Sequence, residues 1–314
     1  MIKSLLNKRC LSFGVTAANN HSNINKGECF SVRNGHRMAW LSTSSSSSSS
    51  LVDNFGRQHN YLRISLTERC NLRCDYCMPP EGVELKPDSE LLTTDELLRA
   101  VQVFVQLGVS KVRLTGGEPL VRKDIISIVE KIRSMGISNL GLTTNGILFS
   151  RHAKALKAAG LSHVNISLDT LDANRFRRIT HRNGHEKVMS AVRAASELFD
   201  KVKINCVIKR GVNEDEITSF VAMTRHEKLE VRFLEFMPFG KNGWENKEVV
   251  TGEEMLNIVR SVYPLTEPVP DENGPNPTAK LFKVPDFMGR IGFITAMSDE
   301  FCSTCNRLRL TADG

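Results

Sequence analysis

The sequence predicts an α/β fold built from a repeated strand–helix unit. Three observations point to it. Six short runs rich in β-branched or aromatic residues recur between residues 61 and 236. Amphipathic stretches of helical period separate them. Polar, glycine-containing motifs follow the runs, where strand carboxyl ends would lie.

The strand candidates are 61–66, 111–115, 139–143, 163–168, 202–208 and 231–236. Each is short and apolar enough to be a buried parallel strand. A helix over 94–107 opens on Thr94, Asp95 and Glu96 and sets Leu97, Leu98, Val101, Phe104 and Val105 on one face. The next, 123–135, aligns Ile125, Ile128, Val129 and Ile132 and stops at Gly136. Helices over 152–159, 172–179, 187–198 and 215–225 follow. A right-handed series of this kind closes toward a barrel or opens into a doubly wound sheet; six units are too few for an eight-stranded barrel. From residue 240 the texture changes: Gly, Pro and Asn increase, above all over 271–277, around one helix at 252–262. This predicts a smaller appendage over the open side.

The chain has 314 residues, 40% hydrophobic and 25% charged, ample for one core. Its formal charge is +7. Six basic residues against the single acid Glu28 put five of those charges in residues 1–50. The body is therefore near neutral, which argues against nucleic acid as a partner. Residues 1–50 are basic and Ser-rich and end in the run Ser44–Ser50, which cannot form a core. They fit an organellar transit peptide, with Arg33 and Arg37 before the cleavage region; an uncleaved tail is the alternative. No apolar run is long enough to span a membrane.

Eight cysteines are distributed unevenly. Cys10 and Cys29 lie in the leader, and Cys206 sits in an apolar strand. The other five form two tight groups, Cys70/Cys74/Cys77 and Cys302/Cys305, whose spacing argues for metal rather than disulfides. In the string Cys70-Asn-Leu-Arg-Cys74-Asp-Tyr-Cys77, one short loop can hold three irons of an iron–sulfur cube. The fourth iron keeps an open position, the mark of a reactive rather than a structural site. Zinc and free thiols are the alternatives.

Cys70-x3-Cys74-x2-Cys77, with Tyr76 before the third cysteine, resembles the radical S-adenosylmethionine (SAM) superfamily. The flanking Tyr61-Leu-Arg-Ile-Ser-Leu-Thr-Glu-Arg-Cys70 and Met78-Pro79-Pro80 are similar to one family within it, the MoaA-type GTP 3',8-cyclases of molybdenum cofactor biosynthesis. The resemblance runs from about Gly56 to Gly314. It implies a partial (βα)6 TIM-type barrel (the radical SAM fold) over 56–239 and a C-terminal Fe–S, GTP-binding region over 240–314. It implies a [4Fe–4S] cluster on Cys70, Cys74 and Cys77 that binds and cleaves SAM. It also implies a mitochondrial matrix location.

The site residues follow strand ends. Thr115-Gly116-Gly117-Glu118-Pro119 puts two glycines and a carboxylate past the second strand. Glycine lets backbone approach a ligand, and Glu118 could accept from the SAM ammonium. By resemblance Tyr76, Gly117, Ser167 and Met237 are further SAM contacts. Arg63, Arg113 and Lys203 lie inside strands, where charge is costly unless it faces a polar interior. Guanidinium forks suit phosphate oxygens. The family's GTP contacts fall on these three, on Thr143 and on Arg307, Leu308 and Arg309.

Cys302 and Cys305 resemble two of three ligands of the family's second [4Fe–4S] cluster. The third would fall past Gly314, so the expectation is a C-terminally truncated form. The expected function is GTP 3',8-cyclisation. The alternatives are a short form retaining only the first cluster, or a radical SAM enzyme on another substrate. The partners implied are GTP, a cyclic pyranopterin monophosphate synthase, an electron donor and a second copy of the chain.

Overall fold

The computed structural model describes residues 51–78, 82–239, 242–270, 278–299 and 302–314. The expected leader, Pro79, Pro80, the 271–277 loop and the Cys302 side chain lie outside the described residues.

Strands β1 (Tyr61–Ser65), β2 (Lys111–Thr115), β3 (Asn139–Thr144), β4 (His163–Ser167), β5 (Val202–Ile208) and β6 (Leu229–Glu235) pair in sequence order, all parallel. Between them run α1 (Thr94–Gln106), α2 (Ile125–Ser134), α3 (Phe149–Ala158), α4 (Ala173–Thr180), α5 (His185–Leu198) and α6 (Ile217–Met223). All six strands and six helices were predicted, with ends shifted by a few residues. The start of α1 shows why ends drift. Thr93, not Thr94, is the cap: its hydroxyl accepts from Glu96 N while Glu96 Oε2 accepts from Thr93 N.

The C-terminal region adds α7 (Gly252–Val262), predicted with the same bounds, and four strands that were not predicted: β7 (Glu267–Val269), β8 (Lys280–Lys283), β9 (Arg290–Ile294) and β10 (Arg307–Leu310). They extend the barrel sheet rather than sit on top of it. β9 pairs parallel with β6, and β8 and β7 continue antiparallel. β10 pairs parallel with β1 at the other edge. The ten strands run β10-β1-β2-β3-β4-β5-β6-β9-β8-β7, an open sheet rather than a closed barrel.

Strand alternation divides the faces. Leu62, Ile64, Val112, Leu114, Leu140, Leu142, Val164, Ile166, Ile204, Val231 and Phe233 are wholly buried. They pack under the buried helix faces, such as Ile125, Ile128, Val129 and Ile132 of α2. The alternate residues are polar: Tyr61, Arg63, Arg113, Thr143, His163, Asn165, Lys203, Glu230 and Arg232. A parallel sheet with both faces covered is ordinarily apolar on both. This one is lined with charge, which marks its concave face as a place for a polar guest.

Candidate active site in the barrel lumen

The loop from β1 carries Cys70, Cys74 and Cys77 to the carboxyl end of the strands. The backbone holds it on two sides. Arg73 N and Asp75 N donate to Thr180 O and Ile179 O at the end of α4, both at 3.0 Å. Gly117 N and Glu118 N donate to Thr67 O and Arg69 O, both at 2.8 Å. A Cβ on Gly117 would lie 2.3 Å from Arg69 O, so only glycine lets the turn after β2 meet the cysteine loop.

Tyr76 ties the loop to the other strands. Its hydroxyl donates to Asp169 Oδ2 at 2.7 Å, and Asp169 Oδ1 accepts from Val207 N at 2.9 Å. Asn242 Nδ2 donates to Tyr76 O at 3.0 Å and to Met237 O at 3.1 Å. The ends of β4, β5 and β6 are thus joined to the cysteine loop. Ser167, half-buried, ends β4, and Met237 is exposed just past β6. Both stand at the same end of the barrel as the thiols.

Cys70 and Cys74 are half-buried and Cys77 is exposed. Burial raises the Cys70 thiol above its usual range. A hydrogen bond between Cys74 and Cys77 raises the first and lowers the second. Three soft donors on one loop, with backbone and amide N–H groups aimed at Cys70 Sγ, suit an iron–sulfur cube. Among the described residues no three His, Cys, Asp or Glu side chains close on the position of a single ion.

Glu118 also has a structural place. Its carboxylate is wholly buried and accepts from Leu120 N at 3.0 Å, Thr144 Oγ1 at 2.8 Å and Asn145 N at 2.7 Å. It braces the turns after β2 and β3.

Deeper in the lumen the cations gather. Arg113 donates to Tyr61 OH at 2.6 Å, His163 Nε2 at 2.9 Å and Thr143 Oγ1 at 3.4 Å. Arg63 stands beside Arg113 and Arg309 in register, and no described carboxylate pairs with it. Burial lowers its pKa, and the Arg113, Arg309 and Arg307 charges lower it further. Lys203 Nζ meets Glu230 Oε1 at 2.9 Å. Arg232 and Arg290 converge on the same carboxylate. Burial raises the pKa of Glu230, but Arg232 and Lys203 bring it down to about 2. Burial and Arg232 lower Lys203 to about 8. Two buried acceptors, Asn165 Oδ1 and Asn205 Oδ1, have no hydrogen-bond partner. Unmet donors and acceptors in one lumen are what a polar ligand satisfies.

The cavities open at the amino-terminal ends of the strands, opposite the thiols. One of about 250 Å³ is lined by Lys111, Arg113, Asn139, His163, Lys201 and Lys203. Another of about 610 Å³ is bordered by Lys203, Lys228, Glu230, Lys283 and Arg290.

The second cysteine group is partly described. Cys305 is half-buried; burial raises its pKa, but Arg307 Nε, donating to Sγ at 3.2 Å, leaves it lowered. Arg307 and Arg309 share the lumen face of β10 with Tyr61 and Arg63 in register. Leu308 does not. It pairs with Leu62 on the opposite, apolar face, so any ligand contact there is through its backbone.

The sequence expectations omitted His163, Asn165, Asn205, Glu230, Arg232 and Arg290. Alternation within the predicted strands carries the signal for His163, Asn165, Asn205 and Arg232; Glu230 lies one residue before the predicted sixth strand, and the strand of Arg290 was not foreseen. His163 depends on a partner across the sheet: a Cβ on Gly141 would lie 2.2 Å from its Nε2. Burial, then Arg113, pushes its pKa down to about 2. It stays neutral in the fold and protonates in the unfolded chain near 6.5, so its contribution is present above about 6.5 and lost as pH falls. Asp169, raised to about 6 by burial, acts in the opposite sense. Urea titrations of wild type and His163→Gln therefore isolate the histidine. The expected wild-type excess loss is about 1.4 kcal/mol per pH unit between pH 6 and 5.

The comparisons follow this geometry. Residues 64–223 match the Radical SAM superfamily, and residues 229–314 match Molybdenum Cofactor Synthesis C. "GTP 3',8-cyclase, mitochondrial" of Arabidopsis thaliana is 51% identical over 84% of this chain and 68% of its own length. "GTP 3',8-cyclase" of Petrotoga mobilis is 44% identical over 84% of this chain and 82% of its own. The chain belongs to the radical SAM GTP 3',8-cyclase family.

"Molybdenum cofactor biosynthesis protein 1" of Homo sapiens is 54% identical over 84% of this chain but 42% of its own length. The chain spans somewhat under half of several such relatives. Among solved structures, Streptococcus suis SuiB bound to S-adenosylmethionine shares the fold, with TM-score 0.56 at 15% identity over 83% of this chain and 58% of SuiB. A [4Fe–4S] cluster and SAM are the cofactors of this family. No helix among the described residues is long and apolar enough to cross a membrane.

Proposed function

We propose that the chain converts GTP to (8S)-3',8-cyclo-7,8-dihydroguanosine 5'-triphosphate, the first step of molybdenum cofactor biosynthesis. The observation that carries this is the division of one lumen between three thiols at the carboxyl end and a cluster of cations at the other. Cys70, Cys74 and Cys77 would hold the [4Fe–4S] cluster. When bound and reduced, it supplies the electron that cleaves SAM and so starts the radical reaction. The chain's residues bind, orient and exclude water. Gly117 gives SAM close backbone approach, and Tyr76, Ser167 and Met237 frame it. Arg63, Arg113, Lys203, Arg307 and Arg309 take the triphosphate, with Thr143 beside them. Cys302 and Cys305 supply thiolates toward a second cluster.

GTP loses a hydrogen atom at C3' to the 5'-deoxyadenosyl group released from SAM, which leaves as 5'-deoxyadenosine beside methionine; it then forms the C3'–C8 bond and takes up one electron from the electron donor and one proton. The product is thus an isomer of GTP, made without a conventional acid–base pair.

The proposal places the activity in the mitochondrial matrix behind a leader in residues 1–50. The radical core occupies 56–239 and the second-cluster region 240–314. An electron donor and a cyclic pyranopterin monophosphate synthase are the expected partners, and the chain is expected to form a homodimer.

Arg113→Met tests the triphosphate assignment. Loss of one charged fork costs about 1.5–3 kcal/mol, or roughly 10–150-fold in GTP affinity. SAM affinity should stay within about twofold, because Arg113 lies away from the cysteine loop. Calorimetric titration with each ligand checks both. Unchanged GTP binding would remove the triphosphate from this end.

A further inference from the structure

We propose that Asn145 is a positioning residue that sets the reduction potential of the cluster through an N–H···S hydrogen bond to Cys70. The inference rests on the cluster assignment made above. Among the described residues, Cys70 is the one thiol of the three whose sulfur accepts from N–H groups: Leu72 N at 3.5 Å and Asn145 Nδ2 at 3.8 Å.

The Asn145 side chain is fixed in that orientation. Its Oδ1 accepts from Ile147 N at 3.1 Å, so its amide nitrogen faces the loop. The two hydrogens on Nδ2 then serve two acceptors, Asn71 Oδ1 at 2.7 Å and the sulfur. The backbone is fixed as well, since Asn145 N donates to Glu118 Oε2 at 2.7 Å. Glu118 is itself wholly buried and held by Leu120 N and Thr144 Oγ1. The buried carboxylate braces the turn after β3, and the turn presents its amide to the thiolate.

A donor aimed at a ligating sulfur stabilises the more negative, reduced cluster and raises its potential. A one-electron transfer to SAM depends on that potential. Asn145 therefore governs how readily the cluster is reduced, without touching SAM or GTP.

The test is an EPR-monitored potentiometric titration of the anaerobically reconstituted full chain, without SAM or GTP. Two variants are compared with wild type. Asn145→Ser keeps an oxygen for Ile147 N but cannot reach the sulfur. Asn145→Asp keeps the shape, loses the donor and adds a negative charge, so its shift should exceed that of Asn145→Ser. Both are expected to titrate at more negative potential. At the wild-type midpoint the ratio of reduced to oxidised cluster in Asn145→Ser should fall by about three- to tenfold, the worth of one hydrogen bond. A change confined to turn stability would not move the potential. Coincident titrations of all three proteins would overturn the proposal. A wild-type chain that takes up no [4Fe–4S] cluster would instead overturn the proposed function, and this inference with it.

Discussion

Replacing Cys74 with alanine is expected to abolish both SAM cleavage and GTP cyclisation. Cys74 is the middle cysteine of the loop, and its backbone carbonyl accepts from Cys77 N at 3.0 Å and Met78 N at 2.9 Å. The loop geometry survives the substitution because those bonds are backbone bonds. What is lost is one of three thiolates, and two hold a cube poorly. Iron analysis should show the chain short of about four irons relative to wild type. Cleavage of SAM to 5'-deoxyadenosine should fall to the uncatalysed level. The apo chain should unfold at the same urea concentration as wild type, since a half-buried thiol contributes little packing. Full cleavage activity in this variant would place the cluster elsewhere.

Removing the carboxylate that Lys203, Arg232 and Arg290 share is expected to have the largest effect on stability. Glu230 is 5% exposed and faces Lys203, Arg232 and Arg290. Glu230→Gln leaves those charges uncompensated, at a cost of about 3–5 kcal/mol in urea unfolding of the apo chain. The sign with pH is fixed by the lowered pKa. Glu230 contributes fully above the unfolded value near 4.5, and its contribution disappears as pH falls toward about 2. The gap between variant and wild type should therefore close in acid. Saturating GTP should recover part of the loss at neutral pH, because the triphosphate restores negative charge among the same cations. Recovery by SAM but not by GTP would contradict the assignment of the two ends.

Much of this fold was legible because its signals are local. Each predicted strand is an apolar run of the right length, and each helix repeats its apolar residues at helical spacing. The cysteine loop was legible because three cysteines lie within eight residues. Arg63, Arg113 and Lys203 were legible because charge inside a parallel strand demands a polar face. The C-terminal strands were not. β7 contains Pro268, β9 contains Gly292, and the Arg-Leu alternation of β10 also reads as a binding string. β9 and β10 pair with β6 and β1, which lie far away in sequence. The bracing role of Glu118 was not legible for a similar reason. Past a strand an acid reads as exposed, yet two of its three donors come from Thr144 and Asn145 on the next strand's turn. Leu308 shows that neighbours in a motif alternate faces once the motif becomes a strand.

The central claim is that one lumen holds a radical-generating cluster and GTP together. The most direct measurement is anaerobic reconstitution of the chain, iron and sulfide analysis, and then incubation with SAM, GTP and dithionite. The account predicts a bound [4Fe–4S] cluster, 5'-deoxyadenosine, and 3',8-cyclised GTP in the same reaction. Bound zinc in place of iron, with SAM and GTP both unchanged, would contradict it.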